Sequence, residues 1–218
     1  MRTDALRSYF VGGSLLVALL LAGSVATASP IVIAGTTYDT VNFADTLISS
    51  SSTGGSFSLG GGAPTLAAAV TGSDVNTWAF CNCDSAYVQL GFVDNVVTNG
   101  PGADLALFEI GTPDNFGISL TIGGAMQTVV SVSTGFTQAQ GFGINLATFD
   151  LSLLGVPSGA SVNSIVVHMG VPFANTSVSP TLAAVTAINA VPEPSTIVLL
   201  GIGLAAMVGF VRNSRRHL

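Results

Sequence analysis

Between residues 30 and 190 the apolar positions fall in short runs separated by Gly, Asn, Asp and Pro clusters. The clearest run alternates: Phe116, Ile118, Leu120 and Ile122 are apolar, with Gly117, Ser119 and Thr121 between them. A period of two predicts a half-buried strand, which Gly123 and Gly124 end. Met126 to Ser133 is predicted as its neighbour. Further strands are predicted over Tyr38 to Phe43, Val75 to Phe80, Ala86 to Phe92, Asp104 to Ile110, Ile144 to Leu154, Val162 to Met169 and Leu182 to Ile188. Recurrence every 8 to 12 residues or so predicts an all-β domain, an antiparallel β-sandwich of meander or jelly-roll type. The Ser- and Gly-rich stretch from Ser49 to Gly62 reads as a mobile surface loop. Helices have little support, and there is no internal repeat.

Two longer apolar runs break this pattern at the ends of the chain. From Ser195 to Val211 no residue is charged. A helix of that length rises roughly 25 Å, close to the hydrocarbon thickness of about 30 Å, so a single transmembrane helix is predicted over about 195–211. Pro192 and Pro194 stiffen the approach in extended form, and Arg212, Arg215 and Arg216 favour the cytoplasmic side. At the other end Arg2 and Arg7 precede an apolar segment from Val11 to Ala22, and Ala26-Thr27-Ala28 lies before Ser29. Those features predict a secretory signal peptide cleaved after Ala28. The predicted organisation is a signal peptide over 1–28, a sandwich over 29–190 and an anchoring segment over 191–218.

Charge sharpens the picture. The chain has five basic residues, Arg2, Arg7, Arg212, Arg215 and Arg216, and all lie in the end segments. The central domain therefore has no Lys or Arg to set against Asp39, Asp45, Asp74, Asp84, Asp94, Asp104, Glu109, Asp114 and Asp150. Without cations to neutralise phosphates, nucleic-acid binding is excluded as a function. Each acid must be solvated, hydrogen-bonded or bound to a metal, because no salt-bridge partner exists for it there.

The final segment, Val191-Pro192-Glu193-Pro194 followed by Ser195-Thr196, the apolar run and the arginines, resembles the PEP-CTERM sorting signal. The resemblance implies recognition and cleavage by a membrane-embedded exosortase. It also implies export through the inner membrane of a Gram-negative bacterium to the periplasm, outer surface or extracellular matrix, with transient anchoring by the C-terminal helix. A second stretch, with Asn99, Gly100, Pro101, Gly102, Asp104, Phe108 and Glu109, resembles a segment of bacterial surface β-sandwiches of the discoidin or galactose-binding type. In such sandwiches a loop of this kind often holds calcium, which implies Asp94, Asn99, Asp104 and Glu109 as oxygen ligands. The alternative is that Asp94, Asn99 and Asp104 are turn residues that hydrogen-bond nearby backbone.

Cys81 and Cys83 are the only cysteines. In an oxidising compartment free thiols are not expected, but spacing i, i+2 in an extended strand holds the Cα atoms about 6.6–7 Å apart, so a local disulfide requires a tight turn. Pairing between chains and a metal or redox role are the alternatives. His168, the domain's one histidine, reads as a polar-face side chain on a strand. No G-x-S-x-G elbow is present for a hydrolase triad, and Trp78, Tyr38 and Tyr87 are the domain's only Trp or Tyr residues, few for a sugar cleft. The expected function is non-enzymatic: an exported surface or matrix protein with a structural or adhesive role linked to exopolysaccharide or biofilm. A carbohydrate-binding module, marked by an exposed aromatic platform, is the alternative, and a glycoside hydrolase, marked by carboxylates facing across a groove, comes third.

Overall fold

The computed structural model describes residues 29–174 and 179–192. The predicted signal peptide and transmembrane helix, with Glu193, Pro194, Arg212, Arg215 and Arg216, lie outside the described residues. The first half of the domain supplies β1 (Pro30–Ile33), β2 (Thr36–Asp39), β3 (Thr46–Thr53), β4 (Ser58–Gly60), β5 (Trp78–Phe80), β6 (Ser85–Gly91), β7 (Asn95–Thr98) and β8 (Leu105–Ile110). The second half supplies β9 (Asn115–Ser119), β10 (Met126–Val130), β11 (Val132–Thr137), β12 (Gly143–Phe149), β13 (Ser161–Val162), β14 (Ser164–Met169), β15 (Leu182–Ala187) and β16 (Ala190–Pro192). Among the described residues there is one short α-helix, α1 (Leu66–Val70), capped by Thr65, whose hydroxyl accepts from the Ala68 N–H at 3.1 Å.

The strands form a five-stranded sheet in the order β10-β9-β14-β6-β3 and a six-stranded sheet in the order β11-β12-β8-β15-β5-β4, with every pairing antiparallel. Val88, Leu90, Phe116, Ile118, Ile165 and Val167 of the first meet Leu105, Leu107, Ala147, Phe149 and Val185 of the second in one buried cluster. This is the sandwich core that the all-β pattern predicts.

β8 is buried along its whole length because both of its faces are covered. Leu105 and Leu107 point into the sandwich, whereas Phe108 and Ile110 belong to a second cluster with Ile33, Phe43 and Ile144. The β1–β2 hairpin forms part of that cover. Its two-residue loop, Ala34-Gly35, has φ of 49° and 78°, the mirror-image turn that suits a twisted hairpin. Tyr38 then sets its ring edge-on to Phe108 at 5.3 Å. Both clusters close within Ala28–Glu193, a compact unit of the chain that has its own complete core.

Several expected boundaries move. The Ser49 to Gly62 loop is a correction: Ser49–Thr53 pairs with β6 as part of the edge strand β3, and Ser58–Gly60 pairs with β5 as β4. Serine tolerates an edge position with one wet face, so polarity there does not mark a loop. The strand over Phe116 to Ile122 stops at Ser119 and is not half-buried. Gly117 sits under Met126 and Phe173, and Ile122 lies beyond the strand, exposed. Met126 to Ser133 divides at Ser131, where the chain passes from the five-stranded to the six-stranded sheet. Ile144 to Leu154 ends at Phe149, because Asp150 caps a 3-10 turn over Leu151–Leu154 and Gly155 closes it at φ 77°. Tyr38 to Phe43 is likewise cut by a 3-10 turn over Thr40–Asn42, with Asp39 as its cap.

Candidate functional site

The residues that open the sorting segment belong to the folded domain. β16 pairs with β7, Val191 opposite Val96 and Pro192 opposite Asn95, and β13 borders β7 on its other side. A proline, which lacks a donor, is tolerated at the end of such an edge strand. The turn before β16 is anchored by Asn189, whose carbonyl accepts from the Thr98 N–H at 2.9 Å and whose amide donates to Asp104 Oδ1 at 2.9 Å.

Asp104 is the hub of this end of the domain. Fully buried, its carboxylate accepts from the Gly100 N–H at 2.8 Å, the Leu151 N–H at 2.9 Å and the Asn189 amide. Three donors satisfy a buried carboxylate for which the domain offers no Lys or Arg partner. Gly100 is required for this approach, since a Cβ there would lie 2.5 Å from Asn189 Nδ2. Asn99 is equally committed: its amide donates to the Val156 carbonyl at 2.6 Å, and its own carbonyl accepts from the Gly159 N–H at 2.8 Å. Asp94 is exposed, and its N–H donates to Asp45 Oδ2 at 3.3 Å.

Glu109 lies five residues along β8 from Asp104, about 16 Å at strand rise, and on the opposite face. Asp94, Asn99, Asp104 and Glu109 therefore do not converge on one point. Among the described residues no group of three or more His, Cys, Asp or Glu side chains is placed to hold a metal ion. Asp104 and Asn99 serve the turn role, fixing loop backbone.

Glu109 occupies a second buried polar site, which sequence reasoning named without its surroundings. It projects between the sheets where the chain crosses from β10 to β11. Its carboxyl meets Ser131 Oγ, accepts from the Asp114 N–H at 3.1 and 3.0 Å, and lies 3.5 Å from Asn145 Nδ2. Ser131 Oγ also lies 2.7 Å from the Asp114 carbonyl. A hydroxyl has one proton and cannot donate to both oxygens. The conflict disappears when Glu109 is protonated and donates to Ser131, which then donates to Asp114. Burial pushes the Glu109 carboxyl up to about 7, opposed by the hydrogen bonds from Ser131 and Asp114, while the nearby Asp114 charge pushes it further up. With no access to solvent, this carboxyl is an internal clasp rather than an acid that could meet a substrate.

Cys81 and Cys83 form a disulfide, with Cα atoms 5.2 Å apart and both residues buried. The tight turn that the spacing demands is present, since β5 ends at Phe80 before the first cysteine. His168 shares its Nε2 with Ser119 Oγ at 2.9 Å across β14 and β9, and burial lowers its basicity. Tyr87 lies beside it on β6, ring centroids 6.2 Å apart. Trp78 stands edge-on to Phe142 at 5.6 Å, and Phe142 is half exposed. A shallow open depression of ≈ 340 Å³ is lined by Thr46, Ile48, Gly91, Phe92, Val93 and Asn163, none of them ionisable.

Residues 190–216 match the PEP-CTERM protein-sorting motif. The motif marks an exported protein that is sorted to the cell surface by an exosortase. No curated protein and no solved structure matches the chain. Among the described residues no helix is long and apolar enough to cross a membrane.

Proposed function

We propose that this protein is a non-enzymatic structural or adhesive component of the cell surface or extracellular matrix, associated with exopolysaccharide and the biofilm it builds. The observation that carries the reading is the sorting motif joined to the sandwich with no separate catalytic domain between them: its first residues are β16. The internal chemistry fits a scaffold. Asp104 and Glu109 are consumed in holding loops and sheets together, and His168 is bonded to Ser119 across two strands.

The second reading is a carbohydrate-binding module. It is favoured by the half-exposed Phe142, which stands against the partly buried Trp78, and by the resemblance of the Asn99 to Glu109 segment to galactose-binding sandwiches. Co-sedimentation of the Ala28–Glu193 segment with exopolysaccharide from the producing cells separates the readings. A structural component associates weakly and keeps doing so after Trp78→Ala. Saturable binding lost with Trp78→Ala establishes the module instead, and release of new reducing ends would overturn the non-enzymatic reading altogether.

A further inference from the structure

Every sheet edge carries backbone donors and acceptors that ask for another strand, and natural sheets blunt them with charge, proline, bulges or brevity. Most edges of this domain are blunted in that way. β3 shifts register between Leu47 and Ser49, and β11 shifts between Ser133 and Phe136, with Gly135 at φ 78°. β4 and β13 have three and two residues, and β16 ends on a proline. β10 has none of these devices. It runs Met126-Gln127-Thr128-Val129-Val130 in unbroken register with β9, and four of its five residues are exposed.

Its side chains fit a copy of themselves. Val129 turns inward to the core, so Met126, Thr128 and Val130 share the outer face. An antiparallel pairing centred on Thr128 sets Met126 of one copy opposite Val130 of the other at both ends and Thr128 opposite Thr128 in the middle. Thr–Thr pairs are among the favourable cross-strand combinations, and Met126 opposite Val130 takes apolar surface out of water. Met126 is 44% and Val130 58% exposed, so both have apolar surface to bury.

Charge points to the same partner. The domain carries only acids as formal charges, so two copies repel wherever those acids face each other. From Asn115 to Phe149, the stretch containing β9 to β12, there is no Asp, Glu, Lys, Arg or His. A cationic partner would favour the acidic surfaces, whereas a second copy loses nothing by meeting along this uncharged edge.

We infer that two copies of the protein associate through β10, edge to edge and antiparallel about a twofold axis at Thr128, joining their five-stranded sheets into one of ten strands. The interface is isologous, so it closes as a dimer. The inference stands on the sandwich alone and does not depend on the matrix role.

Sedimentation equilibrium of the Ala28–Glu193 segment over a range of concentrations tests it. The expected result is a reversible dimer that Thr128→Glu weakens at least tenfold, because two carboxylates then face each other across the axis. Thr128 is exposed, and a thermal melt of the variant verifies that it folds. Thr128→Lys weakens the dimer alone, and an equimolar mixture of the Glu and Lys variants restores association. Ser51→Glu on β3 leaves it unchanged. A monomer at every concentration, or a dimer that Thr128→Glu does not weaken, overturns the inference.

Discussion

Glu109→Gln separates the two protonation states of the carboxyl clasped between the sheets. Glutamine has the shape of the neutral acid: its oxygen can accept from Asp114 and its amide can donate to Ser131, but it never ionises. In the folded chain Glu109 titrates near 7, against 4.5 for an unburied glutamate. Because the folded value is the higher one, the native state holds a proton that the unfolded chain has released. The stability Glu109 contributes is therefore complete below about pH 4.5 and is lost as pH rises through about 7. At about 1.4 kcal/mol per pH unit the loss is roughly 3 kcal/mol. For a domain of this size it corresponds to roughly 6–12 °C in melting temperature. Urea unfolding of wild type and Glu109→Gln across pH 4.5 to 8 reads the difference directly. The two agree closely near pH 4.5, and the variant becomes the more stable by roughly 3 kcal/mol at pH 8. The depressed basicity of His168 acts in the opposite sense, its contribution being lost as pH falls, but it is common to both proteins and cancels in the comparison. A stability gap that stays constant over this range would refute a proton held at Glu109.

Asp104→Asn places an amide where three donors converge, and lowers stability by roughly 2–3 kcal/mol. Thermal melts should show the same loss with millimolar calcium as with chelator, whereas a loss confined to calcium-containing buffer would restore Asp104 as a metal ligand. The exported protein should give no thiol titre, and reducing the Cys81–Cys83 bond without changing the residues should cost roughly 1.5 kcal/mol, the small loop-closure effect of so short a ring. A larger loss, or a reducible dimer of the wild type, would contradict the local bond between Cys81 and Cys83.

The strands that were legible in the sequence are those whose apolar runs fill the core, β6, β8, β14 and β15. β3 was not, because its serines take polarity from an edge position that only the finished sheet defines. The run over Phe116 to Ile122 misled in the opposite way. Its small residues are not wet: Gly117 is covered by Met126 and Phe173, and Ser119 is engaged by His168. At the polar sites, the lack of a salt-bridge partner held for every acid of the domain alike, and only the resemblance to discoidin-type sandwiches singled out Asp104 and Glu109. Their partners come from Leu151, Asn189, Ser131 and Asn145, which are up to 85 residues away in the chain, so sharing a segment of sequence does not make two acids share a site. For the cysteines, the compartment argued for a bond while the i, i+2 spacing argued against a local one and left interchain pairing open, and the turn after β5 supplies the closeness that an extended strand lacks.

Export and exosortase sorting rest on residues 190–216, and mass spectrometry of the protein recovered from the cell surface tests them most directly. The product should begin near Ser29 and lack the segment bearing Arg212, Arg215 and Arg216, and replacing Pro192, Glu193 and Pro194 by alanine should block that loss and hold the chain in the inner membrane. Recovery from the surface of an intact chain from Met1 through Arg216, or unchanged processing of the alanine variant, would contradict the account.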